Sequence, residues 1–138
     1  YPRTVRHPSG EPLCVRLRAI TGPSWNQDRR ETLLHQADGV VFVADSQEDR
    51  RDANLEALVQ MEHGLGKKVG ERGCAPIVFQ YTKRDLPGRM SVERMDAELN
   101  PRGAPRFTSV VRRGIDVFPT LTTCVGLVVA RAKAAEAK

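Results

Sequence analysis

The sequence predicts an α/β fold, a three-layer sandwich in which helices cover both faces of a mostly parallel sheet. Two short apolar runs, residues 40–44 and 76–81, have the length and the β-branched or aromatic composition of buried strands. Segments with helical periodicity lie between these runs and on either side of them. Strands that alternate with helices form parallel sheets, because each crossover helix packs back onto a face of the sheet.

The first half of the chain predicts a β-α-β-α pattern. Residues 13–20 alternate apolar and basic side chains, which is typical of a half-exposed strand. Residues 25–37 predict a short helix, and residues 40–44 predict a strand that is covered on both faces. Asp45 then ends that strand. Residues 48–73 have apolar side chains at helical spacing, although several glycines weaken the second half of this helix.

The second half of the chain continues the same alternation. Residues 76–81 predict a buried strand, and residues 82–89 predict a loop. A helix is expected over residues 91–99, because its first residue is a serine that suits an N-cap. Residues 106–111 predict a short last strand, and residues 115–132 predict a closing helix. Ligands of such sheets bind at the carboxyl ends of the strands, so the loops that follow the strands are the candidate site.

Composition indicates a single globular domain over residues 1–138. The chain has 138 residues and a net charge of +5, and no apolar stretch approaches the length of a membrane span. Its three cysteines are far apart, which argues against a disulfide framework or a zinc site and favours a reducing cytoplasm. The basic residues are scattered among acidic ones, and aromatic residues make up only 5%. These features argue against a nucleic-acid-binding surface.

The most informative loop is Thr82-Lys83-Arg84-Asp85, which follows the second buried strand. A carboxylate at Asp85 can accept two parallel hydrogen bonds from guanine, one from N1–H and one from the exocyclic amine. Adenine offers no such pair of donors, so this acid would select guanine. Lys83 can lay its methylene stem over the base, and the Thr82 hydroxyl can tie this loop to a neighbouring one. The alternative interpretation is a charged turn that merely follows a strand.

Two segments, residues 37–46 and 80–87, resemble the Ras-like small GTPases, and more closely the MglA type that serves bacterial gliding motility and cell polarity. The resemblance extends from about residue 13 to the end of the sequence. It implies the P-loop NTPase fold of a G domain, with GTP or GDP and Mg²⁺ as cofactors. It also implies regulation by a Roadblock-type GTPase-activating partner.

The resemblance assigns roles to individual positions. The residues that match the Asn/Thr-Lys-x-Asp base-specificity motif are Thr82, Lys83 and Asp85. Val111 and Arg112 fall in the loop that contacts the guanine O6 atom, mainly through a backbone N–H. Gly22 matches the switch glycine whose N–H contacts the γ-phosphate.

Other family positions are not matched. Ala19 stands where most family members have the aspartate that helps hold Mg²⁺, and Pro23 stands where the water-positioning glutamine follows the glycine. The sequence also contains no Gly-x-x-x-x-Gly-Lys-Ser/Thr pattern, the loop that cradles phosphates. We therefore expect a Ras-like G domain that lacks the first strand and the phosphate loop. We expect it to contribute no catalytic residue and no metal ligand, and to hydrolyse GTP poorly.

The sequence is also compatible with two other functions. A degenerate G domain that acts as a protein-interaction module would explain Ala19 and Pro23. A receiver-like signalling domain would use Asp45 as a phospho-acceptor, with Thr82 and Lys83 at the end of the next strand. A receiver also needs an acidic pair on its first strand, and residues 13–20 contain none. Asp45 is otherwise interpreted as a turn or cap carboxylate before a helix.

Overall fold

A computed structural model describes residues 5–6, 12–20, 27–110 and 117–136 of the chain. The elements in these ranges are, in order, β1 (Val5–Arg6), β2 (Pro12–Leu13), α1 (Gln27–Gln36), β3 (Val40–Asp45), α2 (Arg51–Leu65), β4 (Ile77–Thr82), α3 (Val92–Leu99), β5 (Arg106–Thr108) and α4 (Val117–Glu136). A short 3-10 turn, Glu48–Arg50, leads into α2.

The main sheet has the order β3-β4-β5, and both pairs of neighbouring strands are parallel. The register places Asp45 beside Thr82 and Tyr81 beside Thr108. The carboxyl ends of the described strands therefore meet at one edge of the sheet, as the predicted α/β fold requires. This sheet confirms the predicted fold class.

Strand β4 is the centre of the described sheet, and all six of its residues are buried. Strand β3 has a more open face, because the Val43 side chain is 56% exposed. The prediction that residues 40–44 are covered on both faces is therefore wrong at Val43. A run of β-branched residues occurs in central strands and in edge strands alike, so the sequence does not distinguish the two positions. Strand β3 lies at an edge of the described sheet.

An aromatic row crosses the sheet on the face that α2 and α3 cover. The Phe42 and Phe79 rings meet edge to face with centroids 5.5 Å apart, and the Phe79 and Tyr81 centroids lie 6.4 Å apart. Met61 of α2 and Met95 of α3 belong to the same buried cluster. Burial of these large apolar groups is the main favourable contribution to the free energy of folding in this part of the chain.

Helix α4 contacts β3, β4 and β5 and covers the other face of the sheet. Its Thr120 and Cys124 side chains are buried outside the aromatic cluster. The approach is closest at Gly39, where an added Cβ atom would lie 2.6 Å from Cγ2 of Val128. Helices therefore lie on both faces of the sheet, as predicted.

The predicted strand over residues 13–20 is wrong for most of its length. Strand β2 contains only Pro12–Leu13, and it pairs with β1 in an antiparallel ladder. Residues 14–20 form neither helix nor strand, and the Leu17 side chain is 56% exposed. Alternation of apolar and basic residues is a local signal, whereas a strand needs a neighbour for its backbone hydrogen bonds. No strand in the described ranges pairs with residues 14–20.

The predicted helix over residues 48–73 ends earlier than its apolar pattern does. Gly66 adopts φ 70° and donates its N–H to the His63 carbonyl oxygen, so α2 stops at Leu65. A left-handed residue after the last turn is the common way for a helix to end, and glycine adopts it without steric strain. The last strand is also shorter than the predicted range of 106–111, because β5 ends at Thr108.

Ser91 caps helix α3, as the sequence predicts. Its hydroxyl accepts the Arg94 N–H at 3.2 Å. We expect Ser91→Ala to lower the free energy of unfolding by about 1 kcal/mol, because one helical N–H loses its partner. Urea denaturation followed by circular dichroism measures this change. Ser91→Asp restores an acceptor and is the control; equal stability of the alanine and aspartate variants would contradict the capping role.

Candidate functional site

The candidate site lies where the carboxyl ends of β3, β4 and β5 meet. The Ser46 N–H donates to the Thr82 carbonyl oxygen at 3.1 Å, and the Ser109 N–H donates to the Tyr81 carbonyl oxygen at 2.8 Å. These bonds extend the ladder beyond the strands and join the loops that leave the sheet. These hydrogen bonds therefore fix the backbone at the end of the central strand. Thr82 lies at that end, and Lys83 and Asp85 follow it directly.

Lys83 takes an unusual backbone conformation at the start of this loop. Its φ is 60°, a left-handed value that non-glycine residues adopt rarely. The Leu86 N–H donates to the Lys83 carbonyl oxygen at 3.2 Å, which closes a turn over Arg84 and Asp85. Such a conformation costs on the order of 1 kcal/mol or more, and the surrounding contacts have to hold it.

The Lys83 side chain reaches across to β3 and forms an ion pair with Asp45. Its Nζ atom lies 2.8 Å from Oδ2 of Asp45. The other oxygen, Oδ1, accepts the Gln47 N–H at 3.0 Å, so Asp45 is the turn carboxylate that the sequence suggests. Burial tends to raise the pKa of Asp45, but the hydrogen bonds from Lys83 and Gln47 and the nearby positive charges outweigh it and lower that pKa.

Asn54 of α2 fixes the backbone of Asp45. The Asp45 N–H donates to Oδ1 of Asn54 at 3.2 Å, and Nδ2 of Asn54 donates to the Asp45 carbonyl oxygen at 2.8 Å. Asn54 is buried, so this reciprocal pair is shielded from competing water. The end of β3 is thereby attached to the helix that follows it.

Arg84 closes the loop on its other side. Its Nη1 atom donates to the Met90 carbonyl oxygen at 2.6 Å, and its backbone N–H donates to the Ser109 carbonyl oxygen at 3.5 Å. Burial and the neighbouring Arg89 lower the pKa of the Arg84 guanidinium. The Met90 N–H in turn donates to the Ser46 carbonyl oxygen at 2.7 Å. Residues 82–90 are therefore held at both ends against the segment after β3.

Lys83 and Asp85 lie on one turn, which directly follows Thr82; the prediction that the loop begins at Thr82 is wrong by one residue, because Thr82 is still part of β4. Thr82 is buried at the end of β4, whereas Lys83 and Asp85 are exposed. The Asp85 carboxylate is thus accessible to a ligand that approaches the edge of the sheet. The roles of these three residues in binding guanine stay predictions.

The other predicted site positions are Gly22, Val111 and Arg112, and these three lie outside the described residues. Their predicted contacts with phosphate and with the guanine O6 atom stay predictions.

Sequence reasoning missed Ser109 and Gln80. Nε2 of Gln80 donates to Oγ of Ser109 at 2.8 Å, and both side chains are buried. Ser109 also binds the backbone of both Tyr81 and Arg84, so it joins the end of β5 to the candidate loop. The available signal was Gln80 itself, because a polar side chain inside a buried strand needs a hydrogen-bond partner.

The described ranges contain no group of three or more His, Cys, Asp or Glu side chains that is placed to hold a metal ion. Ala19 is exposed and carries no side-chain oxygen for a cation. None of the described helices combines the length and the apolar character that a membrane crossing requires.

No protein-family model matches the chain. Over 117 residues the sequence is 38% identical to the mutual gliding-motility protein MglA of Myxococcus xanthus (strain DK1622). The matched region is 85% of this chain and 60% of that relative, so the chain spans less than two-thirds of the relative's length.

Proposed function

Because this chain is similar to the gliding-motility protein MglA, we propose that it is a guanine-nucleotide-binding small-GTPase domain that acts as a switch for gliding motility or cell polarity. The observation that carries the proposal is the turn Lys83-Arg84-Asp85 at the carboxyl end of the central strand. There the Asp85 side chain is exposed, and the Lys83 ammonium is held by Asp45. The proposed ligands are GDP and GTP.

The turn suits a guanine ring for chemical reasons. The two oxygens of Asp85 accept the guanine N1–H and the exocyclic N–H, and the charge on the carboxylate strengthens both bonds. The exposed part of the Lys83 stem offers an apolar surface to the face of the base. Thr82 anchors the turn to β4, whose residues are all buried. A rigid loop of this kind needs little reordering when the nucleotide binds.

The phosphate side of the proposed site rests on fewer residues. Gly22 would direct its N–H toward the γ-phosphate, and Val111 and Arg112 would bring a backbone N–H to the guanine O6 atom. Phosphoryl transfer depends on positioning and on neutralising charge, and Ala19 and Pro23 supply neither a metal ligand nor a water-positioning group. We therefore propose slow intrinsic hydrolysis in the cytoplasm, accelerated by a Roadblock-type activating partner.

A titration of the whole chain with fluorescent GDP and fluorescent ADP in the presence of Mg²⁺ tests the proposal. We expect GDP to bind at least about 100-fold more tightly than ADP. A site whose carboxylate accepts two hydrogen bonds from guanine rejects a base that lacks that pair of donors. Circular dichroism first establishes that the chain is folded. Equal affinity for the two nucleotides, or no binding by the folded chain, would contradict the proposal.

The second candidate is a degenerate G domain that acts as a protein-interaction module. It is favoured by Ala19, which is exposed and offers no oxygen ligand. A folded chain that binds neither GDP nor ADP would support this candidate. Selective GDP binding would instead support the nucleotide switch and argue against the interaction module.

A further inference from the structure

We propose that Asp45 is a positioning residue for guanine recognition, which holds the Lys83 ammonium so that the lysine stem is already in place when the base arrives. This inference rests on the proposed guanine site around Asp85. Asp45 itself lies at the end of β3 and acts on the base only through Lys83.

The ion pair fixes one end of the lysine and leaves its stem accessible. Nζ of Lys83 is 2.8 Å from Oδ2 of Asp45, and the Lys83 side chain is 48% exposed while that of Asp45 is only 17% exposed. A lysine has several rotatable bonds, and ordering them during binding weakens affinity. Asp45 removes much of that disorder before the nucleotide binds.

Asp45 is a rigid anchor because every polar part of it has a partner. Its Oδ1 atom accepts the Gln47 N–H, and its backbone N–H and carbonyl oxygen both bind the Asn54 side chain. The parallel register also places Asp45 directly beside Thr82, the residue before Lys83. Both ends of the ion pair are therefore attached to the same pair of hydrogen-bonded strands.

The pairing leaves Lys83 able to serve the nucleotide. An ammonium group has three N–H donors, and the contact with Oδ2 of Asp45 uses one of them. The remaining donors are available to ligand oxygens near the base. The carboxylate of Asp45 thus orients the lysine without consuming its capacity to donate.

The first test compares Asp45→Asn with wild type in titrations of the whole chain with fluorescent GDP. Asparagine keeps the size of the side chain and an acceptor for the Gln47 N–H, but it removes the charge that holds Lys83. We expect about fivefold to tenfold weaker binding, the effect of losing one ordered ion pair. Asp49→Asn is the matched control, since Asp49 is exposed in the turn that follows and the variant makes the same change of charge. It is expected to bind as wild type does.

A double-mutant cycle separates positioning from a structural role. Lys83→Met removes the ammonium but keeps a long apolar stem. In that background Asp45→Asn is expected to change the GDP affinity by less than about twofold, because Asp45 acts through Lys83. A loss that persists in the Lys83→Met background would overturn the inference.

The remaining outcomes are also decisive. If wild type binds GDP and Asp45→Asn binds it as tightly as Asp49→Asn does, this inference is overturned. The proposed function then still stands. No GDP binding by folded wild-type chain would reject both. If Asp45→Asn lowers the folded fraction, Asp45→Glu keeps the negative charge and is expected to bind GDP more tightly than Asp45→Asn. Equal affinity of these two folded variants would contradict the need for the charge.

Discussion

Replacing Asp85 by asparagine is expected to weaken GDP binding by about two orders of magnitude or more and to let xanthosine diphosphate bind instead. In the proposed site the carboxylate accepts two hydrogen bonds from guanine, whereas an asparagine amide presents one acceptor and one donor. The amide N–H of asparagine then faces an N–H of guanine, so one of the two hydrogen bonds is lost. The remaining hydrogen bond is weaker, because the negative charge of the carboxylate is gone. Xanthine carries a carbonyl oxygen where guanine has its amine, and that oxygen accepts the new donor.

Asp85 is a suitable position for this exchange because its side chain is exposed. The loop is held by other groups, namely the Lys83 carbonyl oxygen and the Arg84 guanidinium. The substitution should therefore leave the free energy of unfolding nearly unchanged. Titration of wild type and Asp85→Asn with fluorescent GDP and xanthosine diphosphate measures the change in preference.

The control for this exchange is Asp38→Asn. Asp38 is exposed and precedes β3, at the opposite end of the strand from the candidate site. The variant makes the same change in charge and is expected to keep the preference of wild type for GDP. An Asp85→Asn variant that retains wild-type affinity for GDP would remove Asp85 from the site.

The sequence was sufficient to predict the elements that build the site. The strands predicted over residues 40–44 and 76–81 are confirmed, with small shifts of their ends, as the parallel neighbours β3 and β4, and Ser91 is confirmed as a helix cap. Runs of β-branched residues and capping residues act locally, so a single sequence reveals them. The resemblance to MglA-like members of the Ras superfamily is confirmed by the similarity to MglA itself.

Contacts between distant parts of the chain were not predictable in the same way. The ion pair of Asp45 with Lys83 depends on the parallel register that places Asp45 beside Thr82. Residues 14–20 alternate as a strand does, but no strand in the described ranges pairs with them. Side-chain pairing and strand pairing are tertiary properties, and local propensity is only a weak guide to them.

Replacing Phe79 by alanine is expected to lower the free energy of unfolding by about 3–5 kcal/mol. Phe79 is fully buried at the centre of β4, and its ring contacts those of Phe42 and Tyr81 edge to face. Truncation removes the transfer free energy of the ring and leaves a cavity that the neighbouring strands fill only in part. Domains are usually stable by about 5–15 kcal/mol, so a loss of this size unfolds a marginal chain.

Urea denaturation followed by circular dichroism measures the Phe79→Ala effect, with Val43→Ala as the control. Val43 lies in the adjacent strand β3 and is 56% exposed, so its truncation is expected to change the free energy of unfolding by less than about 1 kcal/mol. Equal losses for the two variants would contradict the position of β4 at the centre of the core. A large loss of stability for Phe79→Ala alone supports the central position of β4. It also supports a rigid end of that strand, where Thr82 lies and after which Lys83 and Asp85 follow.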